Sequence, residues 1–325
     1  MMGRVIHTGQ VVIDLTLRIE AIPEPGGDVF ADESSMAVGG GFNVLAAARR
    51  MGVETLYAGP LGEGPFAQVA RRALEEIGVD HVGPVAPGDQ GYCVAMTDAR
   101  AERTFISTKG AETMAPESAW PDFVRTMNPG DVLYIDGYLM DHPANMEAAE
   151  EALRVLPEGV RVLLDVSPVI GIPSDLPSDD VIVSMNHREA QEIGQQRGDS
   201  SVCDRCREPH EAARAMLGLL GHPVLVRAGA AGAYFVRPAG TAPNASNEDA
   251  AHIPTPHVEA IDTNGAGDAH SGVLAASLGH GIPMERALLL ANCAGALSTT
   301  AVGPASCPTR SQIEAAADAL AAQEG

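Results

Sequence analysis

The sequence has few aromatic residues, few cysteines and no long apolar run. Phe, Trp and Tyr make up 4% of the 325 residues, so a hydrophobic core has to be built from Ala, Val, Leu and Ile. The five cysteines are an odd number and widely scattered, which is not the pattern of a disulfide framework. Cys203 and Cys206 have the spacing of a metal or redox pair, but no second pair completes a zinc site. We interpret them as part of an exposed loop.

Basic residues are also scarce, since 21 Lys and Arg stand against 43 Asp and Glu, and the formal net charge is −22. This balance argues against nucleic acid or an anionic membrane as a partner. It permits a nucleotide substrate, because backbone N–H groups and Mg²⁺ override the overall field locally. No stretch reaches the roughly 20 apolar residues of a membrane span, and the first apolar run is too short for a signal peptide. We therefore predict a cytoplasmic protein.

From residue 131 onwards, short apolar segments alternate with helical patterns. The predicted strands cover residues 132–135, 160–164, 181–184, 224–226 and 233–236. Strands that alternate with helices in this way predict a mostly parallel sheet with helices on both faces.

The first third of the chain has a different pattern. Residues 5–17 are predicted to form a strand interrupted by Gly9, and residues 29–38 a second extended segment. Residues 92–97 and 103–107 alternate in polarity on either side of a turn, which predicts a hairpin. We expect these segments to contribute to a small sheet separate from the main one.

Polar and charged residues stand where the predicted strands end. They are Asp14, Asp136, Asp165, Asn186, Glu189 and Arg227. In an open parallel sheet, ligands bind beyond the carboxyl ends of the strands. These side chains therefore indicate a ligand site at that edge of the sheet.

Two runs of small residues precede predicted helices. Gly265, Ala266 and Gly267 open a long apolar run, and the N–H groups of such a helix start favour an anion such as a phosphate. Asp268 follows directly and is interpreted as the base that takes a proton from an attacking hydroxyl, or as an ordinary first-turn acid. The run from Gly39 to Asn43 permits close approach of a ligand, or forms only a tight turn.

The segment from Asp262 to Asp268, Asp-Thr-Asn-Gly-Ala-Gly-Asp, resembles the C-terminal signature of the ribokinase (PfkB) family of small-molecule kinases. Gly39 to Asn43 resembles the family's N-terminal signature, one residue shorter between the glycines and Asn43. Asn186-x-x-Glu189 matches its Asn-x-x-Glu motif, and residues 102–105 resemble part of its lid. The resemblance covers nearly the whole chain.

This resemblance implies a ribokinase-like three-layer α/β/α sandwich with a mostly parallel central sheet and a small β-sheet lid. It implies a single kinase domain over residues 1–325, with lid strands from about 14–38 and 91–108. The implied reaction is ATP-dependent phosphorylation of a hydroxymethyl group of a sugar or related polyol. Asp268 is the implied general base, and the N–H groups of Gly265, Ala266 and Gly267 hold the transferred phosphoryl group.

The resemblance also implies the binding residues. The substrate would be held by Asp14, Gly40, Gly41, Asn43, Arg103 and Phe105. The nucleotide would be held by Asn186, Arg227, Gly229, Gly232, Gly265, Gly267 and Asn292.

Metal ions and a partner follow from the same resemblance. Asn186 and Glu189 would order Mg²⁺, mostly through water, although the pair also fits a helix capping box. Oxygen atoms near Asp262, Thr300 and Gly303 would hold a monovalent cation such as K⁺. The lid implies a homodimer.

Other functions remain open at this point. The acceptor is a sugar or, alternatively, a nucleoside, and a relative of the fold could phosphorylate a vitamin such as pyridoxal. A non-catalytic sugar or nucleoside sensor has no need of a base, so the intact Asp268 argues against it. A dinucleotide-dependent oxidoreductase is disfavoured, because no Gly-x-Gly-x-x-Gly follows the first strand.

Overall fold

The computed structural model contains two β-sheets with helices around the larger one. It describes residues 2–100, 102–116, 118–173, 176–177, 180–197, 206–238 and 250–324. The larger sheet has nine strands among these residues, and the smaller has four.

The larger sheet runs in the order β13-β12-β11-β10-β9-β8-β1-β4-β5. Its strands are β1 (Val5–His7), β4 (Thr55–Tyr57), β5 (Asp80–His81), β8 (Val132–Asp136), β9 (Arg161–Asp165), β10 (Val181–Asn186), β11 (Val224–Arg227), β12 (Ala233–Val236) and β13 (Ala251–Ile253). The strands from β5 to β11 are parallel, and only β12 and β13 add on as antiparallel strands. The predicted mostly parallel sheet is confirmed.

Helices cover both faces of this sheet. They are α1 (Gly41–Arg50), α2 (Pro65–Glu76), α3 (Ala119–Val124), α4 (Pro143–Arg154), α5 (His187–Gln196), α6 (Pro209–Leu220), α7 (Ala266–Gly279), α8 (Met284–Ser298) and α9 (Arg310–Glu324). Strand side chains alternate between two cores: Leu133 and Ile135 pack with α3 to α6, whereas Val132 and Tyr134 pack with α1 and α7 to α9. This gives the three-layer α/β/α arrangement.

The smaller sheet is the lid, in the order β3-β2-β6-β7. Its strands are β2 (Val11–Arg18), β3 (Glu33–Gly40), β6 (Tyr92–Thr97) and β7 (Arg103–Ser107). β6 and β7 form the predicted hairpin, and β2 pairs antiparallel with β3 and parallel with β6. One side of β2, with Val11 and Ile13, packs into a core shared with α1 and α2.

The prediction of one strand over residues 5–17 is wrong, because Gly9 separates two strands that belong to different sheets. β1 ends at His7, and the Gly9 N–H donates to the His7 Nδ1 at 2.8 Å, which closes the turn between them. Asp14 therefore lies in the middle of lid strand β2 rather than at the end of a main-sheet strand. The second extended segment begins at Glu33 and continues to Gly40.

Two further expectations concern loops. Cys206 is buried rather than exposed, and its carbonyl oxygen accepts hydrogen bonds from the His187 ring and the Gln191 side chain; Cys203 lies outside the described residues. Most of the loop predicted around residues 238–251 also lies outside them.

None of the described helices has the length and apolar content that a membrane span requires.

Candidate active site

The two glycine-rich motifs meet at the carboxyl ends of the central strands. The Asn43 Nδ2, in the first turn of α1, donates to the Asp268 Oδ2, in the first turn of α7, at 2.9 Å. The two residues are 225 positions apart in the sequence. The contact places Asp268 beside the end of the lid sheet from which α1 emerges.

The start of α1 requires glycine for two different reasons. Gly40 has a φ of 63°, in the left-handed region that side chains disfavour, and a Cβ there would lie 2.8 Å from the Gln10 carbonyl oxygen. A Cβ on Gly41 would lie 2.4 Å from the His7 Nε2. Glycine at both positions lets the chain turn from β3 into α1 directly above the end of β1.

The start of α7 presents backbone donors. Gly265 is left-handed with a φ of 76°, and a Cβ there would collide with the Pro304 carbonyl oxygen. The N–H groups of Gly265, Gly267 and Asp268 donate to no atom within the described part of the chain. The Ala266 N–H, predicted as a third phosphoryl donor, instead makes a long hydrogen bond of 3.3 Å to the Thr263 carbonyl oxygen. The free donors and the helix dipole suit an anion.

Three carboxyl groups face this region. Burial raises the pKa of Asp268 to about 6; the hydrogen bond from Asn43 opposes this effect, and the charges of Asp165 and Asp14 add to it. Burial raises the pKa of Asp136 to about 7, with smaller contributions from the charges of Asp165 and Asp268. Burial also raises the pKa of Asp14. The charge of Asp14 therefore acts on Asp268, and that of Asp268 acts on Asp136.

His7 lies beneath Asp136 and is a residue that the sequence analysis missed. Burial lowers the pKa of His7 to about 3, so the ring is neutral. Because its Nδ1 accepts from the Gly9 N–H, the proton is on Nε2, which lies 3.7 Å from the Asp136 Oδ2. A lone buried histidine at a strand end carries no distinctive sequence signal.

Arg227 lies in a buried network of polar groups. Its guanidinium makes a two-pronged contact with Asp165, at 2.8 and 2.9 Å, and donates to the Ser271 Oγ at 2.9 Å. The Ser271 hydroxyl donates to Asp165 at 2.6 Å, and the guanidinium lies 3.5 Å from the Gly267 carbonyl oxygen. Burial would lower the pKa of Arg227, but the charges of Asp165 and Glu189 raise it.

This network ties β9 and β11 to the first turns of α7. Arg227 binds Asp165 and Ser271 at the base of this turn, and its predicted contact with a nucleotide phosphate remains a prediction. Asp165 had no assigned role in the sequence analysis, and Ser271 was not singled out. The strand order explains the contact, because β9 and β11 lie on either side of β10 and the carboxyl ends of all three meet at one edge.

Asn186 and Glu189 form a capping box at the start of α5. The Asn186 Oδ1 accepts the Glu189 N–H at 2.9 Å, and the Glu189 Oε2 accepts the Asn186 N–H at 2.6 Å. The Glu189 Oε2 also lies 3.7 Å from Arg227. Within the described ranges, no group of three or more His, Cys, Asp or Glu residues is arranged to hold a metal directly. A contact to Mg²⁺ through water remains the prediction.

Asp262 connects the two loops predicted to hold a monovalent cation. Its carboxylate accepts the N–H groups of Asn264 and Gly303, at 3.0 and 3.1 Å, and these bonds lower its pKa. The Ile261 and Asp262 N–H groups both donate to the Thr299 carbonyl oxygen. The Thr300 hydroxyl donates to the Leu297 carbonyl oxygen. The structure thus brings Asp262 and Gly303 together, and a monovalent cation held near Asp262, Thr300 and Gly303 remains a prediction.

The other predicted nucleotide residues lie near strand β13. Gly232 has a φ of 83°, and a Cβ there would collide with the Ile253 carbonyl oxygen. The Asn292 side chain is buried and donates to the carbonyl oxygens of Ile253 and Pro254. Gly229 is left-handed in the turn after β11. The contacts of Gly232 and Asn292 give these two residues structural roles, and nucleotide binding by all three residues remains a prediction.

Arg103 and Phe105 lie on lid strand β7. The strand register places both on the same face of the lid as Asp14, since Phe105 pairs with Ala95, which pairs with Thr16 two residues from Asp14. Phe105 is 59% exposed. The Arg103 guanidinium lies 3.8 Å from the Asp262 Oδ1, so it connects the lid to the 261–264 loop, and its binding of substrate remains a prediction.

Comparison with known proteins decides the family. The model of the pfkB family carbohydrate kinases matches residues 2–310 of this chain. The chain belongs to the pfkB family. It is an ATP-dependent carbohydrate kinase.

Relatives and solved structures agree with this assignment. The chain is 31% identical over 315 residues to an uncharacterized sugar kinase, YegV, of Escherichia coli (strain K12), covering 95% of this chain and 92% of the relative. It is 30% identical to an ATP-dependent ribose-1-phosphate kinase of Halopiger xanaduensis, covering 97% and 98%. The ribokinase structure from Thermotoga maritima shares the fold, with a TM-score of 0.79, 21% identity and coverage of 97% and 99%.

The buried pair between Asp165 and Arg227 predicts a large loss of stability when one partner is removed. We expect Asp165→Ala to lower the free energy of unfolding by about 3–5 kcal/mol, because the guanidinium is left buried without its counter-charge. The measurement is equilibrium urea denaturation. The control is Glu76→Gln, which breaks the pair of Glu76 with Arg72 on the surface, where the two side chains are 65% and 81% exposed, and should have no measurable effect. Equal effects of the two variants would contradict the prediction.

Proposed function

We propose that the chain is a single kinase domain that transfers the γ-phosphoryl group of ATP to a hydroxymethyl group of a sugar or related polyol. The observation that carries this proposal is the contact between Asn43 and Asp268 beside the unpaired N–H groups of Gly265 and Gly267. It puts a carboxylate and a set of anion donors within the same first turn of α7. In-line transfer needs both, one at the attacking hydroxyl and one at the transferred group.

In this proposal Asp268 is the general base. The Asn43 amide holds the Asp268 Oδ2, which orients the carboxylate and leaves the Oδ1 to accept the proton of the acceptor hydroxyl. A pKa of about 6 leaves the carboxylate mostly ionised at neutral pH and closer to the pH of the reaction than an ordinary aspartate. The Gly265 and Gly267 N–H groups then stabilise the charge on the transferred phosphoryl group. The sugar is contacted by Asp14, Gly40, Gly41, Asn43 and Phe105.

The residues available for cations are oxygen donors, which suits the hard ions Mg²⁺ and K⁺. The capping box leaves Asn186 and Glu189 too committed for full direct coordination, so we propose that they hold Mg²⁺ mostly through water. Mg²⁺ would neutralise phosphate charge during transfer. Asp262 and the carbonyl groups of the 299–303 loop would hold a monovalent cation that orders the turn at Gly265.

The names of two relatives point to other phosphoryl acceptors. One is an aminoimidazole riboside kinase of Salmonella typhimurium, 28% identical over 283 residues, which supports a nucleoside as the alternative acceptor. Another relative is named for ribose 1-phosphate. A non-catalytic sensor is disfavoured, because Asp268 is both present and held in place by Asn43.

Replacement of the base tests the proposal directly. We expect Asp268→Asn to lower kcat by about 10²–10⁴-fold, because the amide cannot take up a proton. The measurement is ADP release from Mg·ATP over a panel of ketoses, aldoses and nucleosides. Asp122→Asn, on the surface of α3, serves as the control and should match the wild type. Activity that survives in Asp268→Asn would rule out its role as the base, and a wild type that binds ATP but phosphorylates no panel member would favour the sensor.

The pH dependence of the rate follows from the raised pKa values. Asp268 has to be deprotonated to act, so kcat should fall as the pH drops through about 6, with Asp136 taking up a proton near pH 7 in the same range. Because the Asn43 hydrogen bond lowers the pKa of Asp268, Asn43→Ala should move the acidic limb to higher pH. The pH–rate profiles of the two proteins provide the measurement. An unchanged limb in Asn43→Ala would show that another group controls it.

We also propose a homodimer formed through the lid. One face of the lid exposes large apolar side chains, since Met36 and Ile106 share the face of Leu15 and are each more than half exposed. We expect sedimentation velocity to give a dimer for the wild type and a monomer for Ile106→Glu, because a buried carboxylate would oppose association. Val85→Glu, which adds the same charge at an exposed site outside the lid, should remain a dimer. A monomeric wild type would refute the proposal.

A further inference from the structure

A second concave surface lies between α1, the end of α2 and the loop that follows α8. It is an open groove of about 470 Å³, which is within the range of small-molecule sites, about 300–1,000 Å³. Its floor is apolar, since Phe42 and Ala46 are 9% and 5% exposed, and Ile77 and Ala305 pack against the same core. None of the residues that line it is predicted to bind substrate, nucleotide or metal. The lining consists of Phe42, Ala46, Arg49, Arg50, Ile77 and Ala305.

The two arginines of this groove are held in place by backbone carbonyl groups. Arg49 donates its Nε to the Gly78 carbonyl oxygen at 2.9 Å and its Nη1 to the Val53 carbonyl oxygen at 3.1 Å. Arg50 donates its Nη1 to the Ala305 carbonyl oxygen at 3.0 Å. Because these bonds orient the guanidinium groups before a ligand arrives, binding costs less conformational entropy.

Both guanidinium groups keep donors and charge for a ligand. A guanidinium has five N–H donors, and the Nη2 of Arg49 and the Nε and Nη2 of Arg50 donate to no atom among the described residues. Within the same residues, neither arginine forms an ion pair with a carboxylate, although the chain has 43 Asp and Glu against 21 Lys and Arg. Arg72 on α2 and Arg310 on α9 do have such partners. The groove therefore combines positive charge with an apolar floor.

The alternative is that the two arginines serve only the helix on which they lie. They are in the last turn of α1, where positive charge suits the helix dipole. That role requires neither unused donors nor an apolar floor beside them. Both features suit an amphipathic anion, because guanidinium groups bind carboxylate or phosphate oxygens and an apolar body gains from burial on Phe42 and Ile77.

The groove adjoins both turns of the candidate active site. Phe42 directly precedes Asn43, whose Nδ2 makes the contact between the two motifs. Ala305 directly follows Pro304, whose carbonyl oxygen lies against Gly265. The groove is thus close to the nucleotide-binding turn but lined by other residues, so a test has to distinguish the two places.

We propose that this groove is a second ligand site, separate from the candidate active site, for a small organic anion with an apolar body and one carboxylate or phosphate group. Arg49 and Arg50 bind the anionic group, and Phe42 and Ile77 contact the apolar body. The inference goes beyond the proposed function and does not rest on it, because it uses no residue of the proposed mechanism.

The test uses phenyl phosphate as the probe, with inorganic phosphate and benzyl alcohol as matched ligands that lack the ring or the charge. Binding is measured by calorimetry on the full chain while the non-hydrolysable β,γ-imido analogue of ATP saturates the nucleotide site. The position of the probe is measured separately, from the methyl NMR signals of Ile77 in the groove and Ile106 on the lid. This second readout does not depend on any variant.

We expect the wild type to bind phenyl phosphate at least about tenfold more tightly than either matched ligand, because the probe alone makes both kinds of contact. The Ile77 signal should shift as the probe binds, and the Ile106 signal should not. Arg49→Gln and Arg50→Gln should each weaken binding by about tenfold, because each removes a charge-assisted donor. Arg72→Gln removes the same charge from the surface of α2 and should leave binding unchanged.

Three results would overturn the inference. They are the absence of binding while the ATP analogue is present, an Ile77 signal that does not respond to phenyl phosphate, and equal effects of the three arginine variants. The first would place the probe in the nucleotide site, and the last would leave the two groove arginines with their role at the end of α1.

Discussion

The close approach of α1 and α7 is the constraint on which the site depends. A Cβ on Gly272 of α7 would lie 2.4 Å from the Val44 carbonyl oxygen and 2.7 Å from the Ala47 Cβ, so the two helices touch backbone to backbone. That distance lets Asn43 reach Asp268. The scarcity of aromatic residues and the abundance of alanine and glycine thus have a structural reason, because bulky side chains between these helices would separate the two motifs.

Charge is distributed to match two different ligands. The chain is strongly acidic, yet the start of α7 is a local region of positive potential made from backbone N–H groups rather than from basic side chains. The acids on the lid side lie in a poorly solvated space, which raises the pKa values of Asp136 and Asp268. Burial thereby gives Asp268 a pKa of about 6, which suits the general base of the proposed reaction.

Arg227 has structural contacts that its place in the sequence does not reveal. At the end of a strand before a glycine-rich turn, an arginine looks like a phosphate ligand. In the structure its guanidinium is held by Asp165, 62 residues earlier, and by Ser271, 44 residues later. These contacts join β9 and β11 to the first turns of α7, and the binding of a nucleotide phosphate by Arg227 remains a prediction.

The sequence by itself determined the alternation of strands and helices, the lid hairpin and the two small-residue turns, because these follow from preferences within a few neighbouring residues. It also singled out Asp268 as the candidate base, which remains a prediction. It could not separate β1 from β2 at Gly9, because a break between sheets looks locally like a turn within one strand. Only the tertiary structure decided that Asn43 orients Asp268, that Asp165 and Ser271 bind Arg227, and that His7 lies behind Asp136. Such contacts depend on strand order and on helix packing distances to within a fraction of an ångström, which no local pattern encodes.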